Sequence, residues 1–180
     1  MDLHTLIKLT DYEHSRKVSQ ISALLAEIMG YSRTEVEIIK EAALYHDIGK
    51  IDIAPEILNK PGALTSQEFD IVKKHTQLGC EKIKDAICGL IVAYWAAKNH
   101  HERLDGSGYQ GLTADEIHPF IRLISAVDVL DALVSRRAYK QCWGMNDALA
   151  YLQKQAGVLF DKEVVSALMA HSDDVEALYR

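Results

Sequence analysis

Apolar residues recur at steps of three and four along most of this chain. Val18, Ile21, Leu25 and Ile28 form one stripe, Val36, Ile39 and Ala43 a second, and Ile121 and Ile124 begin a third. That spacing gives a helix one apolar face, whereas a half-buried strand needs strict alternation. No Val/Ile/Thr-rich alternating run bounded by turn residues competes with it, and only three prolines and ten glycines interrupt 180 residues. The chain is therefore read as all-α, a bundle of about seven to nine helices forming a single domain over residues 1–180.

Local signals place the helices. Asp11 can cap a helix that runs to Gly30, a natural residue just past a helix end. Ser32 and Glu35 make a capping box for a second helix, which stops near Gly49. The segment IDIAPEILNKPGAL reads as a loop, after which Thr65 and Glu68 open a third helix expected to end near Gly79. LIVAYWAAKNHH is a strongly apolar helix leading into a glycine-rich loop. Pro119 suits the first turn of the helix FIRLISAVDVLDALVSRR, and Asn146 and Asp161 are starts for two more.

The polar residues on these inward stripes are what makes the pattern informative. His14 continues the stripe of Val18, Ile21, Leu25 and Ile28; His46 continues Ile39 and Ala43; His75 follows Val72; and Asp128 follows Ile121 and Ile124. Taken singly, a buried histidine is usually a hydrogen-bonded core residue, and Asp128 could pair with Arg122 or Arg136. Together, His14, His46, Asp47, His75, His100, His101 and Asp128 would make a poor core unless cations neutralised the carboxylates and shared the imidazoles. Seven such ligands exceed the needs of one four- to six-coordinate ion, so two ions fit better, with both oxygens of Asp47 available as a bridge. Paired ions of this kind serve many phosphodiester hydrolases. Nitrogen and carboxylate ligands suit iron, manganese, nickel or zinc.

Composition removes other classes. Twenty-six acidic against twenty basic residues give a net charge of -6 with no basic stripe, which argues against a nucleic-acid polymer as partner. No apolar run reaches a membrane span, the N-terminus lacks a signal-peptide layout, and three scattered cysteines suggest neither disulfides nor a zinc knuckle, so a cytoplasmic protein is expected. His4, His118 and His171 fall in terminal or loop-like positions and are read as solvated.

The ordered motifs HDIGK at 46–50, LNKPGAL, His75, HHERLDGSGY from His100 and DVLDALVSRRAYK from Asp128 resemble the HD-GYP family, a branch of the HD-domain metal-dependent phosphohydrolases. The likeness runs from about Asp11 to the C-terminus. It implies an HD-domain helical bundle that hydrolyses cyclic di-GMP with divalent transition metals. The seven ligands above match the family's, with Asp47 as bridge. Lys50 matches the lysine of the HDxGK motif, a group placed to assist a metal-bridging hydroxide attacking the phosphodiester. Tyr109 falls in the GYP position, and Arg137 with Lys140 matches a basic pair suited to gripping phosphate. A GGDEF-type or other signalling protein could bear on the loop, and a dimer is one option for assembly.

Three departures accompany the match. Thr10 stands where trinuclear members carry a glutamate, and Glu13 cannot replace it, which implies a binuclear site and pGpG as the main product. Gln110 replaces the proline of GYP and Ala138 that of the basic segment; without Pro, the tyrosine loop is expected to sample more conformations. Two other readings stay open: an HD phosphohydrolase of simple nucleotides, which would need only His14, His46, Asp47 and Asp128, and a slow-turnover cyclic-dinucleotide sensor.

Overall fold

The first long helix shows how the sequence sets the boundaries. In the computed structural model, which describes residues 2–86, 91–135 and 142–180, the Asp11 carboxylate accepts from the His14 amide at the start of α2 (Tyr12–Ile28). The helix ends where Gly30 turns to φ +81°, and the Tyr31 amide reaches back to the Ala26 carbonyl at 3.0 Å. A short α1 (Leu3–Ile7) precedes it, and the predicted capping boxes open α3 (Arg33–Tyr45) and α5 (Ser66–Lys73). A 3-10 turn (Ile48–Asp52) and α4 (Pro55–Leu58) lie between these two. Then come α6 (His75–Ala86), α7 (Ile91–Asn99), α8 (Pro119–Val134), α9 (Met145–Lys154), α10 (Lys162–Ala170) and α11 (Ser172–Ala177). The described residues hold eleven α-helices rather than seven to nine, the excess being one- and two-turn pieces such as α1, α4 and α11.

Three details differ from the sequence reading, the first being that α4 falls inside the stretch IDIAPEILNKPGAL read as a loop, with Pro55 at its first position. The third helix does not run on to Gly79: α5 closes at Lys74, and a separate α6 begins at His75 and passes through Gly79. Gly79 serves close packing instead of termination. It lies against Gly49 of the 3-10 turn, where an added methyl would stand 1.9 Å from the His75 carbonyl oxygen and 2.4 Å from the Gly79 nitrogen. Helix α9 is capped by Gly144 and starts at Met145, before the expected Asn146.

The core gathers between α2, α3 and α8, with α7 and the α6–turn pair closing one side and α9 and α10 the other. Ile21, Leu25, Ile39, Leu123, Ile124 and Leu130 are wholly buried there. Into this apolar packing the helices also deliver His14, His46, Asp47, His75, His100 and Asp128, none more than 7% exposed. Buried ionisable groups on this scale have to compensate one another or a shared ion.

Candidate metal centre

His14 comes from α2, His46 from the residue capping α3, His75 from the first position of α6, His100 and His101 from the turn that ends α7, and Asp128 from α8. Asp47 lies between α3 and the 3-10 turn and divides them into two groups. Its Oδ1 lies 3.3 Å from His75 Nε2 and 3.5 Å from His100 Nε2, while its Oδ2 lies 3.4 Å from His46 Nε2 and 3.7 Å from His14 Nε2. Asp128 Oδ1 joins the second group, 3.1 Å from His14 and 3.6 Å from His46. The candidate ligand atoms of Asp47, His75, His100 and His101 all lie within 4.8 Å of one another, as do those of His14, His46 and Asp128.

The opposite ring nitrogens show how the imidazoles are aimed. His46 Nδ1 donates to the Ala43 carbonyl at 2.7 Å, His75 Nδ1 to Val72 at 2.6 Å and His100 Nδ1 to Ala96 at 2.8 Å. In each, this bond holds the proton on Nδ1 and turns Nε2 toward the centre, so that Nε2 presents a lone pair whenever the ring is neutral. His75 and His100 thus point two lone pairs at each other across 3.3 Å, an arrangement that favours a cation between or beside them. His14 Nε2, His46 Nε2 and Asp47 Oδ1 are buried without a hydrogen-bond partner. Orphaned buried atoms of nitrogen and carboxylate type fit divalent transition metals.

Electrostatics points the same way. Burial alone would raise the Asp47 and Asp128 carboxyls, but Lys50 and His46 hold Asp47 well below the usual carboxylate range, and His14 and His46 do so for Asp128. Burial pulls the His46 imidazole down, yet the Asp47 and Asp128 carboxylates override it and raise it to about 10. His75 is pushed by burial to about 4 and His101 well down, so both stay neutral and ready to ligate.

Residues 5–164 match the model of a family described as HD domain. The chain belongs to the HD-domain family. It is 43% identical, over 90% of its length and 43% of the relative's, to the cyclic di-GMP phosphodiesterase response regulator RpfG of Xanthomonas campestris pv. campestris. It is 36% identical, over 92% of its length and 32% of the relative's, to the 3'3'-cGAMP-specific phosphodiesterase 2 of Vibrio cholerae. The fold superposes on an HDG"Y"P protein from Bdellovibrio bacteriovorus, Bd1817, with a TM-score of 0.74 at 20% identity, covering 92% of this chain and 53% of that one. The chain thus spans less than half the length of these curated relatives, and the expected likeness to cyclic dinucleotide phosphodiesterases of the HD-domain family is borne out.

Other expected residues are placed around the centre of this HD domain. The Lys50 ammonium bonds Asp47 Oδ2 from a half-buried position beside it. Tyr109 lays its ring against His101 at 4.4 Å, and burial, with Asp47 and Asp128, pushes its hydroxyl up to about 12, so the phenol stays neutral. Arg137 and Lys140 lie outside the described residues, as do Arg136 and Ala138. Arg122 does not pair with Asp128; it bonds the carbonyls of Ile117 and Ala114 and faces Asp161. His4 is exposed and His171 lies at the surface beside Asp174, but His118 is not simply solvated: its Nδ1 accepts from the Phe120 amide and its ring tilts against Trp95. No described helix is long and apolar enough to cross a membrane.

Two supporting residues were not singled out from the sequence. Asp131, wholly buried, accepts from His14 Nδ1 at 2.6 Å and from Ser135 Oγ at 2.9 Å. Its spacing of three from Asp128 put it on the same helix face, which was the available signal. Glu102, 2% exposed and next to the histidine pair, accepts from the Gln110 amide at 2.8 Å and the Leu112 amide at 2.9 Å. This corrects the expected loosening of the tyrosine loop. Gln110 supplies an N–H that proline would lack, and its side chain donates to the Lys98 carbonyl and Asn99 Oδ1, fastening the loop to the end of α7.

Proposed function

We propose that this HD domain is a metal-dependent phosphodiesterase that opens a cyclic dinucleotide, cyclic di-GMP in the first instance, to the linear pGpG. The observation that carries the reading is the division of Asp47, whose two oxygens face two separate sets of imidazoles. His75, His100, His101 and Asp47 would hold one ion, and His14, His46, Asp128 and Asp47 the other. Two such ions supply Lewis acidity toward the phosphoryl oxygens and a water of lowered pKa as nucleophile.

The chain's own residues do the rest. Asp47 fixes the separation of the two positions, while the Ala43, Val72 and Ala96 carbonyls and the Asp131 carboxylate fix the imidazoles. Lys50 sets an ammonium beside the centre, where it stabilises the dianionic character of the pentavalent state or protonates the departing oxygen. Tyr109, neutral and half-buried, lines the approach and can donate a hydrogen bond to a phosphate oxygen. The names of the Xanthomonas and Vibrio relatives support a cyclic dinucleotide as substrate class, cyclic di-GMP and 3'3'-cGAMP respectively. Thr10 supports two ions rather than three: its hydroxyl is turned back to the Ile7 carbonyl at 2.7 Å, and Glu13 is exposed and paired with Arg16. The GYQ loop, exposed at Gln110, is the surface on which a signalling partner such as a GGDEF-type protein would bear.

The test is anaerobic purification, metal analysis, and chromatography of the products from cyclic di-GMP and 3'3'-cGAMP. The expected result is about two ions per chain and linear dinucleotide as product, with Asp47→Ala and His100→Ala losing both metal and turnover. A metal-loaded protein that cleaves neither substrate, while those variants keep their metal, would overturn the proposal.

A further inference from the structure

A line of aromatic rings runs outward from the centre. His101 lies 4.1 Å from His100 and 4.4 Å from Tyr109 between ring centroids, and Tyr109 meets Phe69 edge to face at 6.0 Å. Phe69 forms the open end. It stands 42% exposed on α5, a helix with no buried residue, so it is not the fringe of a core contact. Lys73, one turn further on the same face of α5, holds its ammonium 4.9 Å from the centre of the Phe69 ring and 5.3 Å from that of Tyr109.

An exposed phenylalanine alone would be unremarkable on any protein surface. This one touches the loop tyrosine, which touches a candidate metal ligand, and a cation covers both rings. The proposed metals and Lys50 account for recognition of a phosphate, but among the described residues the centre itself presents imidazoles, carboxylates and an ammonium rather than a flat apolar surface for a base. The rings that lead outward from His101 through Tyr109 to Phe69 offer flat apolar faces to a nucleoside whose phosphate lies at the centre.

We propose that Phe69, with Tyr109 beside it and Lys73 at its rim, is a nucleobase platform for the substrate, a subsite that deepens the cyclic-dinucleotide reading and rests on it. In the free protein the Lys73 ammonium occupies the electron-rich ring faces. A purine displaces it, because base stacking on an aromatic ring is the stronger interaction, and the freed ammonium turns to a phosphate of the same ligand. Such a platform recognises a base by its face and discriminates weakly between guanine and adenine.

Titration of pGpG into the metal-loaded protein, alongside the kinetics of cyclic di-GMP hydrolysis, tests the subsite. Phe69→Ala should weaken pGpG binding and raise KM by roughly ten-fold, leave kcat within about two-fold and leave bound metal unchanged, while Phe69→Trp restores affinity. Lys73→Met should weaken pGpG more at low salt than at high salt. A Phe69→Ala variant with pGpG affinity and KM both within about two-fold of wild type overturns the platform, as does a wild type that does not bind pGpG. Failure of the activity is separable. A wild type that cleaves no cyclic dinucleotide but binds pGpG in a Phe69-dependent way keeps the platform and loses the enzyme reading, and normal cleavage with an indifferent Phe69→Ala does the reverse.

Discussion

Replacing Gly49 by alanine should disable this site without replacing a candidate ligand. The new methyl would sit 1.9 Å from the His75 carbonyl oxygen and 2.4 Å from the Gly79 nitrogen, both backbone atoms that no rotamer change can move aside. To reach a separation of 3.0 Å, the 3-10 turn and α6 must part by about 1.1 Å. Asp47 precedes the turn and His75 starts α6, so the displacement falls on the 3.3 Å pair of Asp47 Oδ1 and His75 Nε2. Metal–ligand distances tolerate only about 0.2 Å. The ion proposed for Asp47, His75, His100 and His101 should therefore be lost or weakened, and turnover should fall by roughly a hundred-fold. Overpacking of this kind costs about 1–3 kcal/mol, or a Tm lower by about 2–12 °C for a domain of this size. Gly79→Ala is the comparison, since its methyl would meet the Ala97 Cβ at 3.2 Å and the Gly49 nitrogen at 3.3 Å and should cost less. Thermal melts, metal content and hydrolysis of cyclic di-GMP are the measurements. A Gly49→Ala protein with wild-type Tm and a full metal complement would refute the claim that this contact sets the spacing of the centre.

Asp131→Asn should leave the fold intact but lower the affinity of the His14, His46 and Asp128 group by about 10–100-fold, seen as loss of one ion per chain with the other retained; an unchanged metal count would contradict it. His46, raised to about 10 from a reference value of 6.5, favours the folded metal-free protein when protonated. That contribution is complete below about 6.5 and lost as pH rises through about 10. A metal needs that nitrogen bare, so uptake near neutral pH should release a proton, and affinity should climb about ten-fold per pH unit for each proton released. Calorimetry in buffers of different ionisation heat counts the protons, and a count of zero would be incompatible with this scheme. Gln110→Pro should lower the Tm, because it removes the amide donated to Glu102 and both side-chain bonds to the end of α7; an unchanged or higher Tm would restore the idea that proline suits this loop better.

Where helical period alone decided direction, the sequence was readable. His14, His46 and Asp128 face inward because apolar neighbours three and four residues away must do so, and the Ser32 and Thr65 capping boxes announced their helices. The paired His100 and His101 were readable only as a family motif, since adjacent residues diverge on a helix; both reach one group because α7 ends at Asn99. What period could not convey was contact between distant segments. Gly79 looked like a helix end because its use, admitting Gly49 from another element, is invisible locally. Gln110 looked like a loosened proline because its acceptors lie eight to twelve residues upstream. Phe69 could serve a core stripe equally well, and only its exposure beside Tyr109 separates the uses.

The bonds behind the imidazoles make the two halves of the centre unequal in how they can change. His46, His75 and His100 are oriented by carbonyls of the helical turns that carry them, and a carbonyl is present whatever residue a codon specifies. His14 is oriented by the side chain of Asp131, which a single nucleotide change can replace. On the proposed two-ion reading, inherited variation can therefore retune the His14, His46 and Asp128 group through a residue that is not itself a candidate ligand. Retuning the other requires altering a ligand or bending a helix, so metal preference in chains of this build should drift at the His14 end first.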